Sequence, residues 1–392
     1  MKLHDIFFWC ATSFLIGIFI FSVASHYFTR PPELPSGKVE ITGVITEAEQ
    51  RINSQKLIVG DIQITTGRYP EFEYGDEVKV AGTIQPPAEE FAAYYRKEGI
   101  RGIMSFPEIE VVGRGQGSPV KAALLSIKDF FKESFKKSLP FDRAAFMSGL
   151  TLGDTSEFSD EFREKLQLTG TNHLVALSGY NISVIVRSLG FILAGWWLTK
   201  RLKFPLTVLF ILAFVVMTGA EASVVRAAIM GSLVLLADQA RRPYYLRNAV
   251  AAAALAMALF NPNILAFDVG FQLSFAALMG IVYLRPRVQK WLRMGDKPGI
   301  LNWREHFLST TSAQLAVLPV IIWHFGYFSP IGILSNVLIL EFIPITTVLG
   351  FFLGFAAAIW QPLAWLVSLP AQAFLLYELT IIDLASRIMN FL

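Results

Sequence analysis

From His173 to Leu392 the chain is almost continuously apolar, and nearly all its Lys and Arg fall in three short segments. These are LTKRLKF at 198–204, ARRPYYLR at 240–247, and the stretch from Arg285 through Arg304. The alternate loops, GAEAS at 219–223, NPNILAFD at 261–268 and HFGYFSP at 324–330, carry none. Cytoplasmic loops of membrane proteins concentrate Lys and Arg, so this alternation predicts both a bundle of spans and its orientation. Basic loops lie inside and the others outside. Carried backwards, the rule puts His173 and everything between it and the first apolar run outside, with the N-terminus inside.

Composition agrees with a membrane chain. Charged residues make up 17% of the 392 and hydrophobic residues 54%, against roughly 25% charged in soluble domains. Candidate spans are Val175–Leu198, Pro205–Thr218, Val224–Ala237, Ala249–Phe260, Gly270–Leu284, Phe307–Trp323, Ile331–Ile343, Thr347–Trp360 and Ala364–Ile388. Several are shorter than the roughly 17 residues needed to cross alone. Short runs broken by Gly and Pro read as broken or re-entrant helices lining a cavity. Ile6 to Phe28 is a further apolar run, expected to be an uncleaved anchor (domain 1–30) rather than a signal peptide. It contains Cys10, the single cysteine, so no intramolecular disulfide forms.

After Arg30-Pro-Pro the texture changes. KVEITGVIT, QKLIVGDIQITT and DEVKVAGTIQ alternate apolar and polar residues, the period-2 pattern of half-buried strands. EEFAAYYRKEGIRG reads as a helix and IEVVG as a closing strand. A small β-barrel over 36–113 fits, with an OB-like Greek key the natural candidate. Lys38 to Gly113 holds eight Lys/Arg against thirteen Asp/Glu, which argues against a strong phosphate groove and for a spacer or docking module. Residues 119–172 open with KAALLSIKDFFKESFKKSL, a basic amphipathic helix suited to an anionic membrane surface or to packing on the protein's own membrane domain. Two short helices around LTLGDTSEFSD follow, with Ser159 as N-cap.

The polar side chains within the apolar half are the candidate site. HLVALSGYNISVIV places His173, Ser178, Tyr180, Asn181 and Ser183 at the head of a span, where each unsatisfied group costs several kcal/mol, roughly, in hydrocarbon. Glu221 and Arg226 flank GAEASVVRA; Asp268, Gln272 and Ser274 lie in FDVGFQLSFAA; Gln314, Asn336 and Glu341 occur further on. An ionisable residue inside a span is a functional hypothesis by default. Arg226 is the first choice, set against a structural ion pair with Glu221 or Asp268. No paired Cys, HExxH or carboxylate–histidine cluster offers a metal site, and no GxxxxGK[ST] offers a nucleotide site. LSGYN lacks the GxSxG of a nucleophile elbow. The chain is therefore expected to carry no cofactor and not to be an enzyme.

TGTNHLVALSGYNISVIV resembles the signature of ComEC-type competence proteins, the inner-membrane channels for DNA uptake, which usually reads G-x-x-HLLAISGLHI. MSGLTLGDTSEFSDEFREKLQLTGTNHL is similar to the segment before that signature. VVRAAIMGSLVLLADQARRP, LFNPNILAFDVGFQLSFAALMGI and SAQLAVLPVIIWHFG resemble later family motifs in the same order, and the acidic barrel resembles the family's extracellular OB-like domain. Two departures stand out. Asn181 occupies a position where the family usually has His, which removes a titratable or metal-binding role there. The chain ends at Leu392, which leaves no room for the metallo-β-lactamase-like domain many members carry, so a separate nuclease is expected.

The resemblance implies a polytopic α-helical membrane protein whose 173–392 domain conducts single-stranded DNA into the cytoplasm. His173, Ser178, Tyr180, Asn181, Arg226, Asp268, Gln272, Ser274, Gln314 and Asn336 would line the pathway. Expected partners are single-stranded DNA, membrane lipids, a cytoplasmic helicase-like motor and an extracytoplasmic DNA receptor. The alternative is a membrane enzyme or transporter acting on a lipid or polymer at the outer face.

Overall fold

A computed structural model describes residues 3–28, 38–88, 92–175, 177, 182, 200–295, 303–326 and 329–391. The chain divides into two compact units, Met1–Ile127 with Ala251–Asp268, and Lys128–Val250 with Val269–Leu392.

The first unit opens with helix α1, Leu3–Phe28, and continues into six strands: β1 Lys38–Gln50, β2 Ser54–Val59, β3 Ile62–Gly67, β4 Glu77–Thr83, β5 Gly102–Ser105 and β6 Glu108–Gly113. QKLIVGDIQITT is the β2–β3 hairpin, turned at Gly60 in the left-handed conformation, where φ is 61°. The sheet order is β5-β3-β2-β1-β4-β6, with β3 and β5 parallel. β1 is long enough to serve two neighbours. Lys38–Val44 pairs with β4, and the stretch from Ile45 pairs with β2 after a register shift between Ile45 and Glu47. Such a shift bends a strand and raises its twist, so the sheet curls into a half-barrel. Gln85 and Ile103 exchange backbone hydrogen bonds at 2.9 Å, joining the exit of β4 to β5. The period-2 reading of β1–β4 and β6 agrees with this; β5, four residues after a turn, was too short to signal itself.

Ile45, Leu57, Val59, Ile64, Val78, Val80 and Met104 fill the concave side. Buried Gln55 places Nε2, with two hydrogens to share, within 2.8 Å of the carbonyls of Gly67, Arg68 and Pro70, and its Oε1 accepts the Phe72 N–H, so one amide braces the 67–72 turn. Helix α2, Ala92–Lys97, coincides with part of the expected helix.

Helix α3, Pro119–Ser138, has its first turns in this unit, where Lys121 Nζ lies 4.7 Å from the Tyr74 ring centre. Its later turns belong to the second unit. There Phe131 and Phe135 are buried, and Phe131 packs edge-on against Phe351 and Phe355. Lys128 and Lys132 each reach Asp154 at 3.0 Å, and Lys136 reaches Glu157 at 2.8 Å. Of the two expected roles for this helix, packing on the protein itself accounts for its aromatic face and for these lysines. α4, Phe141–Leu152, ends at Gly153 in the left-handed conformation, and α5, Asp160–Leu168, starts at Ser159, whose hydroxyl accepts the Phe162 N–H. Both match the expected helices and cap.

The span-like helices are α7 Lys200–Met217, α8 Ala222–Gln239, α9 Leu246–Phe260, α11 Val269–Met279, α13 Trp303–Phe325, α14 Gly332–Ile339, α15 Ile343–Ile359 and α16 Gln361–Phe391. Shorter pieces are α6 Asn172–Val175, α10 Ile264–Phe267 and α12 Arg285–Trp291. Among the described residues, five helices are long and apolar enough to cross a membrane, including α1 and a run from α11 to α12 through the π-turn Gly280–Leu284. α14 and α15 meet at 53° and count as a sixth if they form one broken span. The expected interruption between Ile331–Ile343 and Thr347–Trp360 is this bend. Each expected span beyond Pro205 coincides with a helix; Val175–Leu198 lies mostly outside the described residues.

Candidate functional site

In the second unit α8, α11, α13 and α14 pack in sequence, each against the next. Two crossings are close enough to depend on glycine. A β-carbon on Gly280, in the π-turn after α11, would stand 2.5 Å from the Ser312 carbonyl oxygen and 2.6 Å from Ala316 Cβ on α13. A π-turn widens the helix by one residue and recurs at functional sites; here it lets α11 pass against the polar stretch STTSAQ of α13. The second crossing joins Gly170, whose φ is 63°, to Gly332 at the start of α14. A β-carbon on Gly332 would lie 3.0 Å from Gln314 Nε2 and 3.3 Å from the Thr169 carbonyl oxygen.

Around the Gly170–Gly332 crossing the structure gathers three residues singled out from sequence. His173, on α6 three residues after Gly170, is exposed. Gln314 abuts Gly332, and Asn336, one helical turn further along α14, is 1% exposed. Ser329 secures the crossing by donating to the Leu168 carbonyl. Among the described residues, Thr311 Oγ1, Ser312 Oγ, Gln314 Oε1 and Asn336 Oδ1 are buried without a hydrogen-bond partner. Each such atom costs about 1–3 kcal/mol, a cost that apolar packing does not offset.

A second group centres on Arg226 of α8. Its guanidinium donates to the Ser274 carbonyl and stands 5.6 Å from the Phe275 ring centre on α11. Gln272 and Ser274 are half-buried on the same helix. Within this unit and among the described residues no carboxylate pairs with Arg226. The partners the structure gives Arg226 in this unit are a backbone carbonyl and an aromatic face. Neither of these carries a negative charge.

Asp268 belongs to the first unit. It is 4% exposed and its Oδ2 lies 3.1 Å from Lys97 Nζ. Ser178, Tyr180, Asn181 and Ser183 lie outside the described residues. Among the described residues no three His, Cys, Asp or Glu come together as metal ligands.

Sequence reasoning missed Glu378, fully buried on α16, with Oε1 2.6 Å from Thr346 Oγ1 on α15. The signal was there in AFLLYELTII, a lone carboxyl in an apolar run. It also missed His306, which lies 2.6 Å from Glu341, a residue the sequence did single out, and ties α13 to the bend between α14 and α15.

The model of the Competence protein family matches residues 150–391. The chain is 27% identical over 277 residues to ComE operon protein 3 of Bacillus subtilis (strain 168), covering 69% of this chain and 34% of the relative. It thus spans about a third of the length of the curated relative it matches. No solved structure matches it.

Proposed function

Because this chain belongs to the Competence protein family, we propose that it is a multi-pass membrane channel that moves single-stranded DNA into the cytoplasm during natural transformation. The observation that carries the reading is Arg226 on α8, held in place by the Ser274 carbonyl and the Phe275 ring, with no carboxylate partner among the described residues of its unit. A polyanion passing an apolar bundle needs fixed positive charge and neutral donors, placed sparsely enough that the strand can leave. Arg226, Gln272, Ser274, Gln314, Asn336 and His173 supply that chemistry. Ser178, Tyr180 and Asn181 continue the same polar segment in sequence and are proposed as further lining.

The half-barrel is proposed to be OB-like: its strand order with the Gln85–Ile103 bridge supports that reading, and the charge alternation supports placing it outside. The proposed partners are single-stranded DNA, surrounding lipid, a cytoplasmic helicase-like motor and an extracytoplasmic DNA receptor. The bound and passing strand is the cargo, so the reading is transport rather than catalysis.

Deleting the gene in a competent host tests this. Loss of DNA entry into the cytoplasm with surface DNA binding intact is expected; unchanged transformation would overturn the proposal and favour action on a lipid or polymer at the outer face.

A further inference from the structure

We propose that Glu378 is a proton-binding site of the second unit, holding a proton in the contact between α15 and α16 and releasing it when that contact opens. The geometry is one of hydrogen counting. Thr346 Oγ1 lies 2.6 Å from Glu378 Oε1 and 3.2 Å from the Phe342 carbonyl oxygen. A threonine hydroxyl has one hydrogen to give, and an ionised Glu378 would make both neighbours pure acceptors. A proton on Glu378 supplies the second hydrogen, so both contacts are filled.

The other carboxyl oxygen points the same way. Oε2 is buried and, among the described residues, has no hydrogen-bond partner, while the residue as a whole is 0% exposed. A carboxylate would spread its charge onto that bare oxygen, and an isolated buried charge is the costliest group an apolar interior can hold. Thr347 Oγ1, next along α15, is also buried without a partner, so no second donor answers a negative charge.

Among the described residues no cation is paired with it. α15 carries no charged residue in Ile343–Ile359, and α14 carries none in Gly332–Ile339. Tyr377, beside Glu378, donates its hydroxyl to the Leu338 carbonyl. On α4, Asp142 is the acidic neighbour in sequence and Arg143 donates to Gln372 at 3.2 Å. On α5, Lys165 sits 3.0 Å from Asp383 and 2.8 Å from Glu161, with Asp160, Arg163 and Glu164 also on that helix; Arg163 is bonded to the Thr155 and Phe158 carbonyls. Asp383 in turn also takes Arg387 at 2.8 Å. An ionisable group so placed inside a span is characteristic of proton pathways. A deprotonated Glu378 would demand water, which parting of α15 and α16 would admit.

The test uses the full chain, with Cys10→Ser, in lipid nanodiscs. Infrared spectra at neutral pH should contain a protonated-carboxyl stretch that shifts in heavy water, bleaches in alkali and is lost in Glu378→Gln. Thr346→Val should move that band to higher frequency, as expected for a weakened hydrogen bond. Spin labels at Phe352 and Leu384, 58% and 55% exposed on the two helices, should separate as the band bleaches, and should stay put across the same pH range in Glu378→Gln. Absence of the band at neutral pH, its persistence in Glu378→Gln, or equal separation in that variant would each overturn the proposal. Should Glu378→Gln fail to accumulate, the Thr346→Val shift decides, and an unmoved band overturns it.

Discussion

Lys97 Nζ lies 3.1 Å from Asp268 Oδ2, and the Lys97 carbonyl accepts the Asn261 side-chain amide, so both ends of NPNILAFD close on helix α2. Within the same unit Ser22 Oγ of α1 lies 3.2 Å from Asn263 Oδ1. The loop whose Asp268 the sequence placed among the pathway residues thus ties the half-barrel's helix to the first apolar helix.

Asp268→Asn should therefore destabilise the first unit, by about 2–3 kcal/mol, since removing one partner of a largely buried pair strands the other. Lys97→Met with Asp268→Leu should recover most of the loss. The Lys97 ammonium is held above its ordinary value of 10.5 by the Asp268 and Glu98 carboxylates, which outweigh its burial. A raised value means that its contribution is complete below 10.5 and drains away as pH rises through the folded value. Thermal unfolding in detergent, compared between wild type and the double variant at neutral and alkaline pH, checks both statements.

Arg226→Gln should leave the protein inserted and at normal level while DNA entry falls at least tenfold. Arg226→Lys should restore it only in part, because an ammonium lacks the planar fork that grips a phosphate in two places. Measuring protein level and uptake together decides. Normal uptake by Arg226→Gln removes this residue from the pathway, and a drop in folded protein returns it to a structural role.

Asp154 joins the basic helix to the loop after α4. Its carboxyl is pulled far below the ordinary value of 3.8 by Lys128, Lys132 and the Ser156 hydroxyl, which together overcome the penalty of burial. A lowered value gives stability that is complete above 3.8 and is lost as pH falls below it toward the folded value. Asp154→Asn, which strips the carboxylate from Lys128 and leaves Lys132 only the more distant Glu157 at 3.8 Å, should cost about 3 kcal/mol at neutral pH, and the gap from wild type should narrow in strong acid. A constant gap would mean that the altered hydrogen bonding of the new amide, not the lost charge, matters.

Gly280→Leu should block packing of the π-turn on α13, since even a β-carbon there meets the Ser312 backbone at 2.5 Å. A loss of more than about 3 kcal/mol is expected, as for overpacking that the backbone cannot relieve. Folded yield after mild detergent extraction reads it out. Wild-type yield would show that the crossing can open.

Orientation is tested by accessibility. In a Cys10→Ser background, cysteines at Glu71 and Lys200 should react from opposite sides with an impermeant reagent. Reaction of both from one side refutes the alternating topology.

Much of this was legible in the sequence, for identifiable reasons. The period-2 runs of β1 and β4, the Ser159 cap and the apolar helices beyond Pro205 are local or periodic, and burial of one face or immersion in lipid writes them directly into residue order. So does the candidate polar set, because a polar side chain in an apolar run stands out wherever it ends up. Partner choice is different in kind. That Asp268 answers Lys97, that Arg226 rests on the Ser274 carbonyl, and that Glu378 meets Thr346 depends on which helices cross and at what rotation. Those crossings are set by contacts far apart in the chain: Gly280 on Ser312, Gly332 on Gly170, Phe131 on Gly354. A glycine looks the same in sequence whether it ends a helix or admits a neighbour at van der Waals distance. Residue order determined which segments are strands and spans and which side chains are out of place; only the close approach of distant backbones decided which of those side chains are paired and which are left uncompensated.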